Sequence, residues 1–271
     1  MIALHKTRLR VEKYVYKNGI NVALDHAENS DTYKEFQDQL ETALNEQIAY
    51  VVADEYMDGL LMLTKKVTPT AELLAQIGSI ITKKPLSMLV DLATYLGWAG
   101  EQGGQASFDK LGIDAIFGLT NEKVLAYFDD YSNLIIKTVD DYTKEWLAKT
   151  LQEGKSEGLT PYEIQQKIIA EGKPFSKIRA ERIVLTETAK AMVTVEIQSL
   201  KSLGLTEIIW KTSRDDRVCP ICFPLHNKKG TVDGGFEGGY AGPPAHIMCR
   251  CYIEEVIPKD WEIPANIWTG G

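Results

Sequence analysis

Two short runs decide how this chain is read: Cys219-Pro220-Ile221-Cys222 and Pro243-Pro244-Ala245-His246-Ile247-Met248-Cys249-Arg250-Cys251. Between them they hold all four cysteines, and with His226 they gather two of the four histidines into 33 residues. A C-x2-C turn aims two thiolates at one centre, and a following His-x2-Cys or Cys-x-Cys supplies the remaining corners of a tetrahedral zinc site. The span between the runs carries Gly230, Gly234, Gly235, Gly238, Gly239 and Gly242. It reads as a long loop tied down at both ends, and a metal clip does that at modest entropic cost.

Five donors, Cys219, Cys222, His246, Cys249 and Cys251, are offered for four corners. If Cys249 and Cys251 lie on a strand, their side chains face opposite ways. The favoured set is then Cys219, Cys222, His246 and Cys249, with Cys251 standing in for His246 if the chain bends. Four protein ligands close the shell, so the expected site is structural and not catalytic. His226 reads as a solvated loop residue, with a fifth-ligand or general-base role as the alternative. Asp215 and Asp216 precede a turn, where aspartate bonds its own backbone, although paired carboxylates also hold metal for phosphodiester chemistry.

Working outward, the apolar residues recur at helical spacing. Phe36, Leu40, Leu44, Ile48, Val51, Tyr56 and Leu60 predict one amphipathic helix over 32–63. Thr68-Pro69 opens another to about Ile81. The segment from Leu86 to Phe117, punctuated by Gly97, Gly100, Gly103, Gly104 and Gly112, predicts short helices and turns and a boundary between regions. A long helix is expected over 121–152, ended by Gly154 and Gly158. Thr160-Pro161-Tyr162-Glu163 is a capping box that starts a short helix stopping near Gly172. Pro174 separates it from a third long helix over 176–203, ended by Gly204. Glu207 to Thr212 and Tyr252 to Val256 have strand character and are placed to pair across the glycine-rich span. The expected class is α+β: mostly long helices with a small C-terminal β element carrying a zinc-knuckle-like loop. The division expected is 1–118, an N-terminal helical region with a basic arm, and 119–271.

A formal net charge of -8 argues against wholesale wrapping by nucleic acid. Lys6, Arg8, Arg10, Lys13 and Lys17, opposed only by Glu12, nevertheless form a basic arm suited to phosphate. A second group, Lys173, Lys177, Arg179, Arg182 and Lys190, is diluted by acids. The first residues lack a signal-peptide pattern and no run approaches the roughly 20 apolar residues of a membrane span, so synthesis in a reducing cytoplasm is expected. Arg182, Thr186 and Glu187 fall close together on one helix. They read as polar links to the strands beside the knuckle, with a transferase built on Arg182 and Glu187 as the sharper alternative.

From Lys144 to Val256 the sequence resembles the phage head morphogenesis proteins of the Mu F-like type, which are minor capsid components. The resemblance rests on four pieces in order. They are Gly158-Leu159-Thr160-Pro161-Tyr162-Glu163-Ile164, the helix from Arg179 to Thr188, the run from Trp210 to Cys219, and Pro243 to Cys251. After the second cysteine this chain has His226-Asn227-Lys228-Lys229-Gly230 where the family often has an acidic-glycine turn. The resemblance implies a minor head protein of a bacteriophage, made in the host cytoplasm and acting in procapsid assembly near the portal inside the virion. It also implies portal, capsid or scaffold proteins as partners and, for some members, sequence-independent DNA contact during packaging or ejection. Neither a membrane nor a small-molecule substrate is expected, nor is enzyme activity. The reading from a different class is a zinc-stabilised nuclease of the His-metal-finger kind, for which His226 is the only candidate base.

Overall fold

The computed structural model describes residues 24, 27–53, 57, 59, 61, 71–83, 86, 92–119, 122–213, 218–265 and 267. Its helices are α1 (Asp31–Val51), α2 (Ala71–Ile81), α3 (Leu92–Leu111), α4 (Glu122–Ser156) and α5 (Pro161–Ser202), followed by β1 (Glu207–Lys211), a 3-10 turn (Phe223–Leu225), β2 (Lys229–Thr231) and β3 (Tyr252–Glu255). The architecture is therefore the expected α+β, with a small sheet at the C-terminal end. Among the described residues no helix is long and apolar enough to cross a membrane. The chain forms two compact units, each assembled from separate stretches: one from 1–34, 93–128 and 182–271, the other from 35–92 and 129–181.

The second unit is a helical core. Ile48 and Val51 of α1, Ile77 and Ile81 of α2, Leu147 and Leu151 of α4 and Ile164 and Ile168 of α5 are buried together. The periodic pattern continues past Val51, but α1 ends there, and the Val52 carbonyl accepts a hydrogen bond from Gln165 Nε2 at 2.6 Å. A helical bond resumes one residue on, from the Met57 amide to the Ala53 carbonyl. Several polar groups inside the unit are paired, although Gln47 Oε1 and Ser176 Oγ are buried without a partner among the described residues. Gln47 donates to Asp140 at 2.8 Å, and burial holds the Asp140 carboxyl above its ordinary range. Arg179, counted by sequence with the basic surface, turns inward instead. It donates to the Thr143 hydroxyl and the Val139 carbonyl and lies over the rings of Tyr142 and Phe175.

Helix α5 overturns two expected breaks. Its start is the capping box: the Glu163 carboxylate accepts from the Thr160 amide and hydroxyl, and Thr160 Oγ1 accepts from the Glu163 amide. It then runs through both Gly172 and Pro174 without stopping. Pro174 leaves the Ala170 carbonyl without its helical donor, but both residues are exposed, so water takes that carbonyl. Gly172 is a contact and not a terminator: a Cβ there would sit 3.1 Å from Ile48 Cγ2. Gly154 likewise lies inside α4, where a Cβ would meet Ile164 at 2.7 Å. Left-handed backbone ends α4 and α5 at Gly158 and Gly204.

In the first unit the segment expected to be irregular is the 20-residue helix α3. Its glycines permit close approach to α5. A Cβ on Gly103 would lie 2.3 Å from the Met192 carbonyl oxygen, and one on Gly100 would lie 2.7 Å from Val195. Between Val184 and Leu200 helix α5 is buried on almost every side, as a central helix must be. Tyr95 and Thr188 share a 2.6 Å hydrogen bond in that interior. A buried ionic group closes it: Lys110 pairs with Glu255 of β3, and the carboxyl of Glu196, fully enclosed, lies close by on α5. Burial pushes Glu196 up to about 8, against the pull of Lys110.

The sheet has the order β2-β1-β3, all antiparallel. Ile208 and Trp210 of β1 and Ile253 of β3 are buried, while Glu207 faces water. Trp210 and Ile253 are register partners. The strand β2 and the folding of the glycine-rich span are additions to the sequence reading. That span is anchored in its middle as well as at its ends: bridges join Thr231 to Gly235 and Phe236 to Tyr240, and both aromatic rings pack edge-on to Trp210, at 5.2 and 5.8 Å.

Candidate metal centre

The site is made by two tight turns that the sheet holds face to face. In the first, the Cys219 carbonyl accepts from the amides of Cys222 and Phe223, and the Cys222 amide also approaches Cys219 Sγ at 3.3 Å. Such N–H to sulfur contacts favour a thiolate. The 3-10 turn that follows buries Leu225, and the Asn227 amide donates to the Trp210 carbonyl at 2.8 Å, locking this turn to β1. In the second turn the Cys249 amide donates to the His246 carbonyl. Met248, at φ 62, offers its amide to Thr186 Oγ1 of α5 at 3.1 Å.

His246 Nδ1 lies 2.7 Å from the Ile247 carbonyl oxygen. A carbonyl only accepts, so Nδ1 carries a proton, which leaves Nε2 as the ring atom available to a metal. Nε2 is the atom that faces the thiols, 3.0 Å from Cys219 Sγ and 3.2 Å from Cys222 Sγ. Cys222 Sγ is 3.6 Å from Cys249 Sγ. Two donor groups result, Cys219–Cys222–His246 and Cys222–Cys249–Cys251, each with its atoms within 4.8 Å of one another and sharing Cys222. Corners of a tetrahedron with zinc bonds of 2.0–2.3 Å lie roughly 3.5–3.8 Å apart. The observed separations are these or up to about half an ångström shorter, so the two triads are positioned to hold a metal ion.

The ionisation of the set points the same way. The Cys251 thiol hydrogen-bonds Cys249 and, with backbone groups at Cys251 and Ala245, brings Cys249 down to about 5. The same contact raises Cys251 far above the thiol range. Burial, with the Cys249 sulfur beside it, pushes Cys222 up to about 12. Burial works against ionisation of Cys219 too, but amide hydrogen bonds from Cys222 and Ile221 and the nearby His246 bring it below its ordinary value. Sulfurs this close cannot all ionise without a cation between them, and a divalent ion supplies that charge.

The sequence-predicted donors are thus all brought together. Cys249 and Cys251 precede β3 and are not on a strand, so the alternation that set them on opposite sides does not operate. His226 is apart from the cluster. It is half-buried and not a solvated loop residue, and its Nδ1 faces the Thr212 amide at 3.2 Å and hydroxyl at 2.9 Å. Thr186 performs the polar link expected of its helix. Arg182 is exposed and Glu187 pairs with Lys190 at 3.7 Å. Asp215, Asp216 and the arm Lys6, Arg8, Arg10, Lys13 and Lys17 lie outside the described residues. Sequence reasoning missed the aromatic clamp of Trp210, Phe236 and Tyr240, whose only local signal was two aromatic residues inside a glycine-rich span.

A helical protein whose small antiparallel sheet carries a Cys/His cluster able to hold a metal ion is the class that the fold and site define. Residues 145–254 match the model of the family described as Phage Mu protein F like protein. The match spans α5, β1, β2, all of β3 but Glu255, and every donor of the cluster. No curated protein and no solved structure gives a significant match to the chain.

Proposed function

We propose that this chain is a minor head protein of a bacteriophage that acts in procapsid assembly, located in the capsid interior near the portal. The family match over residues 145–254 carries this reading, because it covers the most specific part of the sequence together with the whole Cys/His centre. Portal, capsid or scaffold subunits are the partners, and residues 119–271 act as the head morphogenesis domain, with 1–118 as an N-terminal helical region that carries the basic arm. The centre holds one structural zinc through Cys219, Cys222, His246 and Cys249, with Cys251 as the alternative to His246. Its protein ligands fill the shell, so the ion braces the terminal domain and takes no part in bond breaking. We also assign Lys6, Arg8, Arg10, Lys13 and Lys17 to sequence-independent phosphate contact.

No observation favours the nuclease reading, in which His226 would activate water; its Nδ1 is engaged by Thr212. Co-expression with portal and capsid proteins, followed by gradient sedimentation, tests the proposal. The chain should sediment with procapsids and be released when they are dissociated. Procapsids that form normally yet exclude it would contradict the reading.

A further inference from the structure

Trp210 of β1 is fully buried, yet its indole Nε1 has no nitrogen or oxygen partner among the described residues. An indole N–H only donates, and buried donors find acceptors. The group it approaches is the sulfur of Cys251. Sulfur is a large and weak acceptor, so such a contact is longer than one to oxygen. The sheet dictates the approach. Ile253 is the register partner of Trp210, and Cys251, two residues before Ile253, stands diagonal to the indole and within reach of an aromatic side chain. Phe236 and Tyr240 pack edge-on to the same ring and limit its rotation. Cys251 in turn shares a hydrogen bond with the sulfur of Cys249.

We infer that Cys251 is not a zinc ligand but the outer partner that positions Cys249, and that Trp210 positions Cys251 in turn. Three observations select this role. His246 Nε2, at 3.0 and 3.2 Å from the two sulfurs of the first turn, already takes the corner beside them. Of the two sulfurs left, that of Cys249 stands 3.6 Å from Cys222 Sγ, within the edge length of a zinc tetrahedron. Cys251 is grouped with Cys222 and Cys249 and not with Cys219 and His246, and it is the sulfur that the indole approaches. A ligating Cys249 is a thiolate, so the proton of the shared hydrogen bond belongs to Cys251. The result is a chain of donors, from Trp210 Nε1 to Cys251 Sγ and from Cys251 Sγ to Cys249 Sγ, which orients the ligand and spreads its negative charge. Five donor residues then serve four corners without competing, because the fifth braces the fourth.

This inference rests on the metal reading, and two measurements on the full chain separate them: the absorption spectrum with cobalt(II) as the probe, and zinc retention against a chelator. Cys251→Ala should keep one metal per chain and the cobalt spectrum of three thiolates and one imidazole, while its zinc affinity falls about tenfold. Cys251→Ser, whose hydroxyl accepts from the indole and donates to Cys249, should recover most of that loss. Trp210→Phe keeps a ring beside Phe236 and Tyr240 but removes the N–H. It should weaken zinc about tenfold alone and add little to Cys251→Ala, since it acts through that sulfur. Loss of the metal in both Cys251 variants, or a cobalt spectrum with one thiolate fewer, makes Cys251 a ligand and overturns the inference while the metal reading stands. So does an affinity unchanged by Cys251→Ala, or losses from Trp210→Phe and Cys251→Ala that simply add. The Cys251 variants decide the matter even where Trp210→Phe fails to fold. A native chain that binds neither zinc nor cobalt contradicts the metal reading itself.

Discussion

The Met248 amide donates to the Thr186 hydroxyl at 3.1 Å across 62 residues of chain, joining the buried stretch of α5 to the turn between His246 and Cys249. Met248 is in left-handed backbone, which a methionine adopts only when its surroundings hold it. Thr186 therefore acts on the metal through backbone geometry. Thr186→Val should cost about 1 kcal/mol by removing this part-buried hydrogen bond. It should also weaken zinc retention in a chelator competition, whereas Thr186→Ser should restore both. Equal zinc affinity in the valine variant would show that the turn holds its shape without α5.

The packing of α3 on α5 gives a second test. Gly103→Ala would drive a methyl group to 2.3 Å from the Met192 carbonyl, and backbone cannot yield there as a flexible side chain would. Urea denaturation should show a loss of about 2 kcal/mol or more. Gly112→Ala, at φ 70 with nothing near its Cβ, should cost about 1 kcal/mol from backbone strain alone. Equal losses at both sites would argue against the close helix contact.

Burial raises the folded-state pKa of Glu196 to about 8, well above its ordinary carboxylate value near 4.5. The folded unit then binds a proton that the unfolded chain releases. Its contribution to stability is full below about pH 4.5 and is lost as pH rises toward 8, at up to about 1.4 kcal/mol per pH unit. Glu196→Gln keeps the shape and removes the titration. Melting curves from pH 6 to 8.5 should therefore fall with pH in the native chain and flatten in the glutamine variant. Parallel slopes would mean that Glu196 is ionised and satisfied by Lys110.

His226 and the metal are predicted to be independent. His226→Ala should leave zinc content unchanged, because the ring faces Thr212 and not the sulfurs. A large loss of zinc would require a different ligand set. Removing residues 1–20 should abolish most of a weak, salt-sensitive DNA binding with the helices and the zinc intact.

The sequence revealed chemistry more readily than contact. Cys219, Cys222, His246, Cys249 and Cys251 announced themselves by spacing, and the Thr160–Glu163 box marked the start of α5 to the residue, because both signals are local. The path of the helices was misread where one residue type serves two purposes. Gly103, Gly154 and Gly172 look like breaks, yet they are places where another segment comes too close for a side chain. Pro174 looks like a stop, but an exposed carbonyl four residues earlier can be left to water. The pairing of Lys110 with Glu255 joins residues 145 positions apart, and nothing near either one signals it.

The central claim is that the two turns are held by one metal ion. Elemental analysis of protein purified without chelator should find one zinc per chain, with no thiol freely titratable until a chelator is added. Cys222→Ser, which removes the donor shared by both groups, should lose the ion and melt at a lower temperature. No zinc in the native chain, with all four thiols reacting at once, would contradict the account.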